Sequence, residues 1–101
     1  MADDRPDQSK QAKIQVHLDD GIAQGIYINL AMVHHNETEF TIDLMYMAPH
    51  NPRATVRARA ISSPKHTKRL LIALQDQIRR YEERFGVIDL SGPNPAERLT
   101  H

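Results

Sequence analysis

The sequence predicts an α+β domain: a four-stranded antiparallel meander followed by one long C-terminal helix packed on one sheet face. Three observations predict it. Apolar and polar residues alternate with period 2 in short segments between residues 13 and 61, the mark of half-buried strands. Only a few turn-forming residues separate these segments, and short connections between consecutive strands imply antiparallel neighbours. After Ser63-Pro64 the apolar spacing changes to three and four, the period of an amphipathic helix.

With 101 residues, the chain has room for one domain. Residues 1–11 are polar and lack a hydrophobic period, so they read as a disordered tail. Residues 12–90 form the expected domain. Residues 91–101, with Gly92, Pro93 and Pro95, read as a second disordered tail.

In the first strand Ile14, Val16 and Leu18 alternate with Lys13, Gln15 and His17. Asp19-Asp20-Gly21 ends it with turn chemistry. The second strand lies in the apolar run at 22–35. There Ile26, Ile28, Leu30 and Met32 make one face, and Tyr27, Asn29, Ala31 and Val33 the other. The run is long enough for a helix, but its β-branched and aromatic content favours a strand. His35-Asn36-Glu37-Thr38 is the next turn. Phe40, Ile42, Leu44 and Tyr46 alternate with Thr41, Asp43, Met45 and Met47 in the third strand. Pro49-His50-Asn51-Pro52 is a loop, because proline cannot donate to a central ladder. Ala54 to Ile61 is the fourth strand. Its Val56, Ala58 and Ala60 face one way, and Thr55, Arg57, Arg59 and Ile61 the other.

Ser63 suits a helix cap and Pro64 the first helical position, where the missing N–H is not needed. Thr67, Leu71, Leu74, Ile78, Tyr81 and Phe85 follow as an apolar stripe that Leu70 widens. Gly86 is the expected stop. A helix of about 22 residues is about 33 Å long, a length that strands of nine or ten residues also reach. It can therefore lie along the sheet, with Val87, Ile88 and Leu90 docking after it.

One helix covers one face, taken to hold Ile28, Leu30, Ile42, Leu44, Val56 and Ala58. The other face would carry Tyr27, Ala31, Val33, Met45, Met47 and Ile61 around a polar group of Asn29, Asp43, Arg57 and Arg59. An apolar patch of this kind marks an interaction surface, here the interface of a homodimer or a dimer of dimers. The competing reading leaves these residues spread out and half-solvated. Leu71, Leu74, Ile78, Tyr81 and Phe85 also fit an a/d seam, but over so few heptads that packing on the chain's own sheet is the favoured expectation.

The formal net charge of +0 conceals a split. Residues 12–50 carry one basic and five acidic groups, for −4. Residues 51–86 carry nine basic and three acidic groups, for +6. Balanced total charge argues against a generic nucleic-acid or membrane-surface binder. Lys65, Lys68 and Arg69 beside Arg53 are candidate phosphate contacts, yet aromatics make up only 5%, too few for a stacking platform.

The absence of Cys excludes disulfides and thiolate metal sites. No apolar run reaches the roughly 18 residues of a membrane span, and the N-terminus has no apolar signal core. His34 and His35 are adjacent and point to opposite sides of a strand, so they cannot chelate one ion there. His66 reads as a surface or capping residue. No phosphate-loop, dinucleotide or nucleophile-elbow pattern occurs. Asp43 with Arg57 or Arg59 reads as a buried structural ion pair rather than an acid–base site. No catalytic, cofactor-binding or metal site is expected, and the chain reads as a non-enzyme.

Gln24-Gly25-x-Tyr27-x-Asn29, Glu39-Phe40-x-x-Asp43, Arg59-x-Ile61-x-x-Pro64-x-His66-x-Lys68-Arg69-Leu70 and Tyr81-Glu82-x-x-Phe85-Gly86 together resemble a small uncharacterised bacterial domain-of-unknown-function family. The resemblance spans residues 12–88. Thr67 departs from the Ala frequent in that pattern, which leaves the helix reading intact. The resemblance implies a bacterial or bacteriophage source and a strand-rich domain closed by one helix, and it carries no activity. A purely architectural similarity to the export chaperone SecB, with four-stranded sheets and helices in a dimer of dimers, is fold-level analogy.

The expected function is therefore a non-enzymatic, homo-oligomeric protein-interaction module in the cytoplasm. A nucleic-acid-associated regulator using the basic helix N-terminus is one alternative. A chaperone-like holdase using Tyr27, Met45 and Met47 is the other.

Overall fold

The computed structural model describes residues 12–99. The architecture is α+β: a short helix α1 (Asp20–Ala23), strands β1 (Leu30–His35), β2 (Phe40–Met47) and β3 (Ala54–Ser62), a long helix α2 (Pro64–Phe85), and a final 3-10 turn (Pro95–Arg98). The three strands form one antiparallel sheet in the order β1-β2-β3.

The sheet has three strands rather than the expected four. Residues 12–19 have no strand partner among the described residues, and Ile14 is 89% exposed. Alternation makes a segment fit for a ladder, but a strand exists only where a neighbour supplies the hydrogen bonds. Asp19-Asp20-Gly21 does not turn the chain into a hairpin. The Asp19 carbonyl instead accepts from the Ile22 and Ala23 N–H groups at 3.0 and 2.8 Å, which starts α1. The run at 22–35 accordingly divides into α1, an irregular stretch and β1.

Asn36 turns the β1–β2 hairpin. Its Oδ1 accepts from the N–H groups of Thr38 and Glu39 at 2.8 and 2.9 Å, an Asx-type turn. This turn sets Leu30 opposite Met45, Met32 opposite Asp43 and His34 opposite Thr41. At the other end of the hairpin Asn29 holds the strands together. Its amide donates to the Met47 carbonyl at 2.8 Å and accepts from the Met47 N–H at 3.0 Å.

Between β2 and β3 the register shifts at Leu44/Met45, because Ala58 opposes Leu44 while Val56 opposes Met45. Arg57 is the extra residue of this bulge, and the parity of β3 changes across it. Residues opposite each other share a face. One face therefore holds Leu30, Met32, His34, Thr41, Asp43, Met45, Met47, Val56, Arg59 and Ile61. The other holds Ala31, Val33, His35, Phe40, Ile42, Leu44, Tyr46 and Ala58.

Helix α2 has the expected boundaries. The Ser63 hydroxyl accepts from the His66 N–H at 3.1 Å, and Pro64 opens the first turn. Gly86 ends it at φ +100° and ψ 165°, a region open essentially to glycine alone. The helix does not lie on the sheet face as expected. None of its 22 residues is buried, and it has no substantial packing against any described strand. A single residue, Ser63, separates the end of β3 from the start of α2. Strand-to-helix connections that fold a helix back usually use about 2–6 residues.

Candidate functional site

The only residues buried outright among those described are Leu30, Met45 and Asp43, at 8, 3 and 2% exposure. They sit together on the first sheet face. The C-terminal 3-10 turn lies over part of this face, and Pro95, Arg98 and Leu99 join Leu30, Met45 and Arg59 around an open cleft of about 730 Å³. The Asn94 side chain caps that turn by accepting from the Ala96 N–H at 3.0 Å. The stretch from Ser91, read above as a tail, thus carries a turn that reaches β1. Thr100 and His101 lie outside the described residues, as do residues 1–11 of the N-terminal tail.

In the cleft wall Arg59 grips Asp43 with two hydrogen bonds, Nε to Oδ1 at 2.7 Å and Nη2 to Oδ2 at 3.0 Å. This bidentate geometry is the strong form of a charge-assisted pair. The hydrogen bonds and the attraction of the carboxylate raise the Arg59 pKa above its ordinary value. Asp43 is buried while the Arg59 side chain is 60% exposed, so the pair anchors a carboxylate inside and presents a guanidinium outside. It ties the acidic first half of the chain to the basic second half.

The structure divides the residues expected to share an oligomer interface. Asp43, Met45, Met47, Arg59 and Ile61 do share a face. Ala31 and Val33 lie on the other one, where Tyr27 also meets Tyr46 edge-on at 6.1 Å between ring centres. Asn29 is spent on the Met47 backbone, and Arg57 occupies the bulge. The reason is phase. Both faces of the 26–33 run are apolar, so alternation alone does not select one, and the Asn36 turn selects the even-numbered residues. Leu30, Met32 and Val56 belong with Asp43 and Met45, not on the opposite face expected from the sequence. A bulge without a glycine left no signal for Val56.

The candidate phosphate contacts also separate. Arg53 precedes β3, whereas Lys65, Lys68 and Arg69 follow it in α2. Nine residues of strand put about 30 Å between them, so Arg53 does not stand beside the helix N-terminus. His34 shares the face of Thr41, while His35 stacks on Phe40 at 5.3 Å between ring centres. The adjacent histidines thus point to opposite sides of β1. Among the described residues no group of three His, Asp or Glu could hold a metal ion. None of the helices among them is long and apolar enough to cross a membrane.

The second candidate surface is α2 itself. Leu71, Leu74, Ile78, Tyr81 and Phe85 are all exposed along one stripe, and Tyr81 packs against Phe85 at 5.0 Å. Asp76, Arg79, Arg80 and Glu83 pair with one another on the opposite side. Arg79 reaches Asp76 at 2.7 Å and Glu83 at 3.1 Å, and Arg80 reaches Asp76 at 3.0 Å.

A family model described as "Protein of unknown function (DUF3467)" matches residues 1–90. The chain belongs to the DUF3467 family. The match covers the sheet, α2 and the residues just after it. No curated protein and no solved structure gave a significant match.

Proposed function

We propose that this DUF3467 chain is a non-enzymatic protein-interaction module that acts as a homo-oligomer. One observation carries the reading: a 22-residue helix with an apolar stripe and no buried residue. Most helical stability in proteins comes from packing of an amphipathic face, and exposed contiguous apolar surface marks an interface. The stripe must be covered for the helix to persist, and the one-residue joint at Ser63 denies it the sheet of its own chain. The cytoplasm is the compartment proposed for it, in keeping with a chain without cysteine.

Sedimentation of the purified chain at micromolar concentration tests the proposal. A mass of two or more copies is the expected result, and a strict monomer of 11.6 kDa with an intact helical circular dichroism signal sinks it. The clustering of Lys65, Lys68 and Arg69 within the first two turns of α2 keeps a nucleic-acid-associated role as the second reading. Retention on DNA or RNA that falls steeply with salt would favour that role, and no retention at low salt removes it.

A further inference from the structure

We infer that α2 pairs with α2 of a second copy of this chain in an antiparallel two-helix seam. The inference deepens the homo-oligomer reading and rests on it. Thr67, Leu71, Leu74, Ile78, Tyr81 and Phe85 follow one another at intervals of 4, 3, 4, 3 and 4. That is an unbroken a/d repeat, with Leu71, Ile78 and Phe85 at a and Thr67, Leu74 and Tyr81 at d. The e positions are Lys68, Gln75 and Glu82, all polar, so they bound the stripe on one side. On the other side Leu70 widens the stripe at one g position, while Gln77 and Arg84 bound it, and an a/d seam with a single apolar flank residue suits a helix partner.

Direction follows from the same assignment. In an antiparallel pair every a residue meets a d residue. Around one two-fold axis the second copy's Phe85 meets Thr67, its Tyr81 meets Leu71 and its Ile78 meets Leu74, and no layer is left over. The same axis brings the second copy's Glu82 to Lys68, and Gln75 and Gln77 each to their own counterparts. Opposite charges thus face each other twice along the e flank, Lys68 of each copy against Glu82 of the other, while the g flank sets Leu70 against Arg84. Glu82 already uses Oε2 to accept from the Ile88 N–H at 2.9 Å, which holds its side chain beside the C-terminal end of the seam. A parallel pair offers no such match and would crowd Lys65, Lys68 and Arg69 of both copies at one end. The ions that would disturb a seam lie elsewhere, since Asp76, Arg79, Arg80 and Glu83 pair on the outer side.

The size fits as well. Side chains of this class that are half outside present about 100 Å² each. The five apolar members, 47–66% exposed in the single chain, remove about 1,000 Å² from water in two copies, the size at which a specific interface begins.

The chain contains no cysteine, so introduced thiols report alone. Three variants are oxidised under mild conditions: Thr67→Cys, Phe85→Cys and the double variant. A disulfide needs Cα atoms within about 4.4–6.8 Å. In the antiparallel seam residues 67 and 85 of different copies meet, while identical positions lie about 27 Å apart along the axis. The double variant should therefore cross-link and both single variants should not. Cross-linking of either single variant shows a parallel pair and overturns the inference while leaving the homo-oligomer reading intact. A dimer in which none of the three cross-links does the same. A wild-type monomer overturns both.

A second set of variants avoids the apolar layers. Lys68→Glu and Glu82→Lys should each weaken the dimer several-fold, and the double reversal should restore it. A double reversal no tighter than the single variants counts against the antiparallel match.

Discussion

Replacing Leu74 by Ala tests the seam where it is closest to its axis. Leu74 is 52% exposed in the single chain. Complete burial of a leucine side chain is worth about 1.5–3 kcal/mol, so covering the open half contributes about 0.8–1.5 kcal/mol. The substitution is made in both copies, and the dimer loses about 1.5–3 kcal/mol, which weakens its Kd about 10- to 150-fold. Ile72→Ala is the matched control. Ile72 is 57% exposed but sits one position beyond Leu71, outside the a/d repeat. Its replacement should change Kd by no more than about twofold. Both changes favour the helix slightly by propensity, so a weaker dimer cannot be ascribed to a melted helix. Sedimentation equilibrium over a dilution series reads both constants. Equal weakening by the two variants would rule out the seam, as would no effect of Leu74→Ala.

Met45→Ala removes a side chain that is 3% exposed and should destabilise the sheet by about 2–5 kcal/mol, read as a lower denaturant midpoint. Asn29→Ala breaks both hydrogen bonds to the Met47 backbone, and hydrogen exchange at the Met47 amide should quicken without a change in dimer mass. Gly86→Ala meets no atom within 4 Å, so its cost is conformational, about 1–3 kcal/mol, with fraying of the last turn of α2 seen in the circular dichroism. Asp89 accepts from the Ser91 N–H at 2.8 Å, and that bond, with the Ser91 hydroxyl, lowers its pKa below the usual carboxylate range. The local turn therefore keeps its stabilisation above the unfolded carboxyl's pKa and loses it as pH falls through the depressed folded value. The Ser91 amide resonance should titrate at that lower pH and stop doing so in Asp89→Asn.

Where structure follows from local chemistry, it was legible in the residues. Ser63-Pro64 and Gly86 bound α2 because capping and positive φ depend on a few adjacent atoms. The β2 and β3 segments were legible for a similar reason, since each is bounded by its own turn residues. Partnership was not legible in the same way. Ile14, Val16 and Leu18 have the alternation of a strand, but among the described residues no neighbour pairs with them. Helix α2 has the stripe of a packed helix, but a one-residue joint keeps it off its sheet. The candidate site was half legible. Asp43 was expected to pair with Arg57 or Arg59, and Arg59 holds it, while the phase of the residues around them depends on the Asn36 turn and the Arg57 bulge. A turn and a bulge act on every residue beyond them, so one misplaced step exchanges the two faces of a strand.

The order β1-β2-β3 has a consequence for how the protein reaches its final form. Every strand pairs with its neighbour in sequence, so the sheet closes only short loops and should fold quickly. Its rate should not change with protein concentration. Covering α2 requires an encounter between two chains, a second-order event that slows on dilution. Refolding should therefore divide into a fast phase reported by Tyr27 and Tyr46 and a slower, concentration-dependent gain of helix. Between the two phases the chain would carry a finished sheet and a helix still waiting for its partner.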